Sequence, residues 1–326
     1  MHRQLISIWL AVSAVLPFAS ASAAPAYPTD KPVTLVVPFT PGGGTDILAR
    51  LMADKLSARI KQTVLVVNKP GASGQVAIQA VERAKADGYT LLFGSSTTHV
   101  LAPMLSPNKQ QMAGVRKDFA IVSMVAETPL ALAVAADSPY QTLSEFTSAA
   151  KTKALSFGTF GAESTPHLMG ELLASETGGR LLHVPYKGSS PAISNLLGGQ
   201  TDSVFLTVAA LNSFIDGHRV RALAVTGQRR VPTLPDVPTF KESGVTGLDD
   251  SGWFAVFASS ATPDDIVALL HTELASVLET PDMQAKLVEL GLLREAGSRT
   301  QDQAKWDQSI GHVSAVLQRI QFDPNR

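Results

Sequence analysis

A glycine-rich loop is the first stretch of this sequence whose residue types could do chemistry. It reads Thr-Pro-Gly-Gly-Gly-Thr-Asp over residues 40–46. Glycine lets the backbone turn tightly and approach a ligand, and Thr45 or Asp46 can cap a helix that follows. The free N–H groups and the positive dipole end of such a helix would bind an anion. A tight turn that binds nothing also uses glycines, so the loop alone leaves both interpretations open.

The elements around this loop are predicted from apolar periodicity. Residues 33–37 form a short β-branched run typical of a strand, and apolar residues recur at helical spacing from Ile47 to Ile60. Two further strands are predicted at 64–67 and 91–93, and each ends in a loop rich in Gly and Ser. Because such loops meet at the carboxyl ends of parallel strands, we expect a ligand site there.

The N-terminal 23 residues have the pattern of a secretory signal. Arg3 precedes an apolar run from Leu5 to Phe18, and small residues follow from Ala19 to Ala23. A basic start, a short apolar middle and a small-residue end are typical of a signal peptide. We therefore expect cleavage after Ala23 and a mature protein in the periplasm.

Composition excludes several classes of function. The chain is 45% hydrophobic and 17% charged, with a formal net charge of −1. It therefore lacks the excess of positive charge with which proteins bind nucleic acid. It has no cysteine, and its seven histidines do not fall into zinc-ligand spacing. We expect no disulfide, metal or cofactor. About 300 mature residues are enough for two domains.

A set of motifs runs in order through nearly the whole mature chain. It comprises PGGGTD at 41–46, NKPGA at 68–72, DGYTLL at 87–92, HVPYKG at 183–188, LLGGQ at 196–200 and LPDVPT at 234–239. Together these motifs resemble those of the Bug receptors, the substrate-binding proteins of tripartite tricarboxylate transporters.

This resemblance implies a two-lobed α/β fold of the type II periplasmic binding protein kind. Each lobe would hold a mixed sheet flanked by helices, with the ligand in a cleft that closes like a Venus flytrap. The sequence supports a crossover near residues 127–129, because one apolar run ends there and another begins after Pro129. The predicted lobes are 24–127 plus 252–326 and 128–251.

The resemblance also implies that backbone N–H groups, hydroxyls and water hold the carboxylate of the ligand. The matching first-lobe positions are Gly43, Gly44, Thr45, Asp46, Ala72, Ser73, Ser96, Thr97 and Thr98. The matching second-lobe positions are Thr159, Gly161, Ser164, His167, Tyr186, Lys187 and Gly188. No arginine occurs in these loops, which favours one or two carboxylates over a phosphate ester.

Four side chains near this site have two interpretations each. Asp46 could select an amino or hydroxyl group of the ligand, or cap the helix. His167 could contact the ligand or only satisfy local backbone groups. Lys187 could bind the ligand or lie solvated at the rim, and Trp253 could pack on the ligand or fill the hinge.

The chain departs from the family pattern after the strand at 204–206. The family often has an acidic or amide residue there, whereas this chain has Leu206 and Thr207. This puts recognition of a ligand amine in doubt and favours a less polar carboxylate.

The expected function is capture of a small carboxylate by a monomeric receptor and its delivery to the membrane subunits of a transporter. The alternative is an exported serine hydrolase that uses Ser164 with His167, or Ser95 with His99. No Gly-x-Ser-x-Gly sequence is present to form the nucleophile turn of an α/β-hydrolase, so we expect no enzymatic activity.

Overall fold

Two mixed β-sheets flanked by helices make up the part of the chain that the structure describes. This structure is a computed structural model, and it describes residues 27–106, 108, 111–249, 251–295 and 297–322. The predicted signal peptide and its cleavage site lie outside the described residues. The fold class predicted from the sequence, an α/β fold with two sheets, is confirmed.

The helices and strands follow one another in a mostly alternating order. The elements are β1 (Val33–Val37), α1 (Gly44–Ile60), β2 (Val64–Asn68), α2 (Gln75–Glu82), β3 (Thr90–Ser95), α3 (Ala102–Leu105), α4 (Gln111–Asp118), β4 (Phe119–Thr128), β5 (Leu130–Ala135), α5 (Leu143–Thr152), β6 (Leu155–Thr159), α6 (Thr165–Thr177), β7 (Leu181–Pro185), α7 (Ser189–Leu197), β8 (Ser203–Thr207), α8 (Val208–Asp216), β9 (Val220–Val225), β10 (Gly252–Ser259), α9 (Asp264–Leu278), α10 (Pro281–Glu289), β11 (Leu293–Arg294) and α11 (Arg299–Ile320).

The first sheet has the strand order β11-β4-β10-β3-β1-β2. β1 lies between β2 and β3 and is parallel to both, whereas β10 is antiparallel to β3 and β4. The prediction of a strand at 33–37 is confirmed with the same bounds. Because β1, β2 and β3 run parallel, the loops after them lie at one edge of the sheet, as predicted.

The second sheet has the order β7-β6-β8-β5-β9. β6 is parallel to β7 and β8, and β5 is antiparallel to β8 and β9. The chain passes from the first sheet to the second at Pro129, between β4 and β5, and returns between β9 and β10. The crossover expected there is confirmed, while the lobe boundaries given above remain a prediction.

Helix α11 contacts the layers of both sheets. Trp306 is fully buried in the first layer, where its indole N–H donates to the His99 carbonyl at 3.0 Å. Near the other end of the helix, the guanidinium of Arg319 lies 3.4 Å from the carboxylate of Glu176 on α6. Its 22 residues span about 33 Å, which is enough to reach across both layers.

None of the helices in the described ranges combines the length and the apolar character that a bilayer crossing requires.

Candidate functional site

The carboxylate of Asp46 holds the glycine loop after β1 in shape. It accepts hydrogen bonds from the Gly42 N–H at 2.9 Å, the Asn68 side-chain amide at 2.8 Å and the Arg50 guanidinium at 3.0 Å. Burial raises the pKa of Asp46, but the bonds from Arg50, Gly42 and Asn68 outweigh burial and leave the pKa below its usual value. The charge of Asp46 is therefore engaged within the loop and its neighbours.

The predicted cap of α1 by Thr45 or Asp46 is wrong. The N-cap residue is Gly43, which has no side chain that could accept a hydrogen bond from the first turn. Helix α7 likewise begins after a glycine, Gly188, which has no side chain that could cap it. Both helices therefore begin with backbone N–H groups that no side chain caps.

Three helices begin where the loops of the two sheets meet, and none has a side-chain cap. Besides α1 and α7, helix α8 begins after Thr207 without a cap. The helix starts are in contact across the cleft, since a Cβ atom placed on Gly43 would lie 3.4 Å from Ser189 Oγ. Each start carries partial positive charge, so an anion among them would be stabilised by all three.

Gly44 and Thr207 approach each other so closely that only glycine fits at position 44. A Cβ atom there would lie 2.5 Å from Thr207 Oγ1. This hydroxyl is 3% exposed and has no hydrogen-bond partner among the described residues. An unpaired buried polar group costs about 1–3 kcal/mol, so a ligand oxygen that paired with Thr207 would recover that energy.

The loop after β2 forms a turn of four residues with positive φ. The angles are +138° at Gly71, +44° at Ala72, +50° at Ser73 and +97° at Gly74. Residues with a Cβ atom pay about 1–2 kcal/mol each in this conformation. Ser73 Oγ donates to the Ala162 carbonyl on the other side of the cleft. The turn therefore joins a strained backbone to a contact between the two layers.

The segment after β3, which includes a π-helical turn at Thr97–Leu101, contacts the second layer through hydroxyl groups. Thr97 Oγ1 lies 2.9 Å from Thr165 Oγ1 and accepts the Thr165 N–H at 3.0 Å, and Ser96 Oγ lies 3.3 Å from the same hydroxyl. Thr98 instead accepts the Ser95 N–H at 2.9 Å and bonds His99 Nδ1 at 2.9 Å. Of the three predicted hydroxyls, Ser96 and Thr97 thus face the other layer, and Thr98 is engaged within its own loop.

Several predicted positions of the second layer bond to one another. Thr159 Oγ1 donates to the Gly161 carbonyl at 2.9 Å and lies 2.7 Å from His183 Nε2. Ser164 caps α6, since its Oγ accepts the His167 N–H at 3.4 Å and donates to Gly161 at 2.6 Å. These contacts shape the loop that carries Phe160.

The His167 ring is buried beneath that loop and stacks on His183. The ring centroids are 3.6 Å apart at an angle of 13°, and His167 Nδ1 accepts the Glu163 N–H at 3.2 Å. Burial lowers the pKa of His167 to about 4. Burial and then the charge of His167 lower the pKa of His183 to about 3. Both rings are therefore neutral at pH 7, and the geometry favours the local role for His167.

A cavity of about 230 Å³ opens between the layers next to the uncapped starts of α2 and α7. It is lined by Phe39 and residues 71–74 from the first layer and by 160–162 and 185–187 from the second. The predicted residues Ala72, Ser73, Gly161, Tyr186 and Lys187 are brought together here. Gly188 lies beside them and packs against the Thr40 side chain.

Larger cavities lie away from these loops. One of about 450 Å³ lies between α6, β7 and the end of α11. Two others, of about 350 and 330 Å³, lie by the crossover residue Glu127. The 230 Å³ cavity is the better candidate despite its size, because it lies at the carboxyl ends of parallel strands beside uncapped helix starts.

Sequence reasoning missed two aromatic residues of the site. Phe39 and Phe160 come from opposite layers, and their ring centroids are 4.9 Å apart. Phe39 lies two residues after β1 and Phe160 directly follows β6, which is a signal of location but not of side-chain direction. Trp253, by contrast, is buried on β10 with its indole N–H donating to Ser309 Oγ at 2.9 Å, which agrees with packing near the hinge.

Neither serine–histidine pair is arranged as a nucleophile and base. Ser164 bonds the backbone of His167 rather than its ring, and that ring accepts from Glu163. In the other pair, the ring of His99 bonds Thr98 and stacks on Phe257 at 3.6 Å. A hydrolytic serine needs the imidazole itself within hydrogen-bond reach.

Comparison with known proteins agrees with this geometry. Residues 48–321 match the family model described as "Tripartite tricarboxylate transporter family receptor". The "UPF0065 protein in tcbD-tcbE intergenic region" of Pseudomonas sp. (strain P51) is 37% identical over 276 residues, which are 84% of this chain and 81% of that protein.

Two solved structures share the fold over nearly their whole length. "R. palustris Rpa4515 with adipate" has 34% identity and a TM-score of 0.86, covering 90% of this chain and 98% of that chain. The "periplasmic binding protein BugD" has 31% identity and a TM-score of 0.84, covering 89% of this chain and 98% of that chain. From its sequence, its two-sheet fold and these matches, the chain belongs to the tripartite tricarboxylate transporter receptor family, a family of solute-binding proteins that includes the Bug receptors.

Proposed function

We propose that this protein captures a small carboxylate in the cleft between its two layers and delivers it to the membrane subunits of a tripartite transporter. The observation that carries the proposal is the convergence of three uncapped helix starts, those of α1, α7 and α8. A carboxylate has two oxygens that accept charge-assisted hydrogen bonds from such N–H groups. The unpaired hydroxyl of Thr207 supplies one further donor at the same place.

The residues around the cavity favour a carboxylate over a phosphate ester. Among the described residues that line it, Lys187 is the one cationic residue and none is an arginine. Phosphate esters usually attract the planar forks of arginine, whereas a carboxylate can be held by backbone dipoles and hydroxyls. The adipate bound to Rpa4515 supports the same class of ligand.

Binding would favour the closed arrangement because the site is divided between the layers. Hydrogen bonds already join them, from Ser190 Oγ to the Pro41 carbonyl at 2.9 Å and between Thr97 and Thr165. A ligand that bonds both layers has a higher affinity for the closed state and shifts the population toward it. The closed form is then the one that docks to the membrane subunits.

Location and family support capture rather than conversion of the ligand. The structural relative BugD is a periplasmic binding protein, and residues 1–23 have the pattern of an export signal. We therefore place the mature protein in the periplasm. Mass spectrometry of a bound carboxylate after long incubation should recover it unchanged; a converted product would support the hydrolase instead.

The role of Thr207 provides the direct test. Thr207→Val keeps the shape of the side chain but removes the hydroxyl, so we expect carboxylate affinity to fall about tenfold, the value of one hydrogen bond. Thr201→Val is a matched control, because Thr201 Oγ1 is also buried and unpaired but lies before β8, at the strand end opposite Thr207. Titration calorimetry against a panel of carboxylates, on the mature chain of residues 24–326, measures the affinity of both variants and of the wild type. Absence of binding by every carboxylate would refute the proposal.

A further inference from the structure

The side chain of Thr40, in the first-layer loop between β1 and α1, ends in a hydroxyl that no described group bonds. The residue is half-buried, but its Oγ1 atom is fully buried and has no hydrogen-bond partner among the described residues. Such hydroxyls are rare in native folds, where a protein group, a water or a ligand usually satisfies them. Thr40 was not among the ligand-binding positions predicted from the sequence.

The Thr40 hydroxyl lies against the start of α7 in the second layer. A Cβ atom placed on Gly188, the N-cap residue of α7, would overlap Thr40 Oγ1, so only glycine fits there. The hydroxyl therefore occupies the place of a capping side chain without bonding the helix. The first turn of α7 offers the N–H groups of Ser189 and Ser190, since Pro191 has none.

Thr207 has the same relation to the start of α1, with the two layers exchanged. It belongs to the second layer, and its buried, unpaired Oγ1 lies against Gly44, the first residue of α1 in the first layer. Each layer thus presents one unpaired hydroxyl to an uncapped helix start of the other layer.

The starts of α1 and α7 are in contact, so the two hydroxyls flank one place. A Cβ atom on Gly43 would lie 3.4 Å from Ser189 Oγ, and Ser190 Oγ donates to the Pro41 carbonyl at 2.9 Å. The glycine loop therefore runs along the first turn of α7. Both hydroxyls can donate a hydrogen bond, as do the free N–H groups of the two helix starts. Two sets of donors side by side match the two oxygens of a carboxylate.

Resting on the proposed function, we propose that Thr40 is a second ligand-binding hydroxyl, the counterpart of Thr207 from the other layer. One oxygen of the ligand carboxylate accepts from the start of α1 and from Thr207. The other oxygen accepts from the start of α7 and from Thr40. Each oxygen is thus bonded by both layers, so separating the layers would break bonds at both oxygens, and the carboxylate stabilises the closed arrangement.

Titration calorimetry of Thr40→Val tests this role, with adipate, malate and citrate as probes. Valine keeps the shape of threonine but removes the hydroxyl, so affinity for the tightest-binding probe should fall about tenfold. Thr40→Ser keeps the hydroxyl and should bind within about threefold of the wild type. Thr201→Val removes a buried, unpaired hydroxyl away from these helix starts and should bind as the wild type does.

Melting curves without a probe separate binding from folding. Because Thr40 Oγ1 bonds no described group, Thr40→Val should melt at or above the temperature of the wild type. A fall in both melting temperature and affinity would assign Thr40 a structural role and overturn the inference. Unchanged affinity in Thr40→Val would also overturn it, while the proposed function would stand. If no probe binds the wild type, the proposed function and the inference both fail.

The double variant Thr40→Val/Thr207→Val tests whether the two hydroxyls bond different oxygens. Losses from independent bonds add in free energy, so the double variant should bind about a hundredfold more weakly than the wild type. A double variant that binds no more weakly than Thr207→Val alone would overturn the assignment of one oxygen to each hydroxyl.

Discussion

At the scale of single residues, the charge of Asp46 serves the shape of the site rather than the ligand. Its two oxygens accept bonds from three different groups, so the glycine loop, α1 and the end of β2 are tied together at one point. A neutral amide at this position could not accept all of these bonds, because its nitrogen is a donor.

Asp46→Asn should therefore lower the free energy of unfolding by about 1–3 kcal/mol, the cost of a buried donor without an acceptor. Asp282→Asn is the control, because Asp282 pairs with Lys55 on the surface, where such pairs contribute little. Urea unfolding at pH 7 measures both variants. Equal stability of the two would show that the bonds of Asp46 carry no more weight than a surface pair.

The stacked histidines predict a loss of stability in mild acid. An unfolded histidine has a pKa near 6.5, whereas burial lowers that of His167 to about 4. Between these values the unfolded chain binds more protons than the folded chain, so the unfolding free energy falls as the pH drops. From pH 7 to pH 5 we expect His167 to account for a loss of about 2 kcal/mol.

Urea unfolding of the wild type and of His167→Gln at both pH values measures this contribution. The variant should lose about 2 kcal/mol less than the wild type over the same interval. If the two proteins lose the same amount, the imidazole of His167 is not the group that titrates.

At the scale of elements, the sequence predicted the strands and the loops that follow them, but not that the helix starts lack side-chain caps. The run at 33–37 is predictable because β-branched residues bounded by Pro32 and Pro38 have few alternatives to a strand. Capping was mispredicted at α1 because Thr and Asp are preferred caps on average, whereas this helix begins after Gly43 without a side-chain cap. Phe39 and Phe160 were missed because loops have no period that tells which side chains face a cavity.

The turn at residues 71–74 predicts an unusual gain from glycine. Ala72 has a φ of +44°, where a Cβ atom is strained, so Ala72→Gly should raise the unfolding free energy by about 1 kcal/mol. Ala285→Gly is the control on the exposed face of α10, where the same change should lower stability by about 1 kcal/mol. Thermal unfolding of both variants shows whether each substitution raises or lowers stability. A loss in both variants would mean that the turn is not strained at Ala72.

At the scale of the whole molecule, the contact between Gly44 and Thr207 controls how closely the two layers approach. A methyl group on Gly44 would meet Thr207 Oγ1 at 2.5 Å, so Gly44→Ala should hold the layers apart and weaken ligand binding at least tenfold. Gly311→Ala is the control, because a Cβ atom there, on α11, meets no atom within 4 Å.

Small-angle scattering with and without a bound carboxylate measures the effect on shape. Saturating ligand should leave Gly44→Ala more expanded than the wild type, and Gly311→Ala should match the wild type. Compaction of Gly44→Ala to the same radius would show that the glycine is not needed for closure.

The position of α11 also decides what the protein's own fluorescence can report. Of the three tryptophans, Trp9 lies in the predicted signal peptide, and the other two both contact or belong to α11. Trp253 bonds Ser309 of this helix, and Trp306 bonds the carbonyl of His99, two residues after Thr97 in the loop that contacts the second layer. Neither residue lines the 230 Å³ cavity. A change of tryptophan emission when a solute is added would therefore record movement of α11 against that loop. A ligand bound in the cavity would not touch either tryptophan, so the change would not come from quenching by contact.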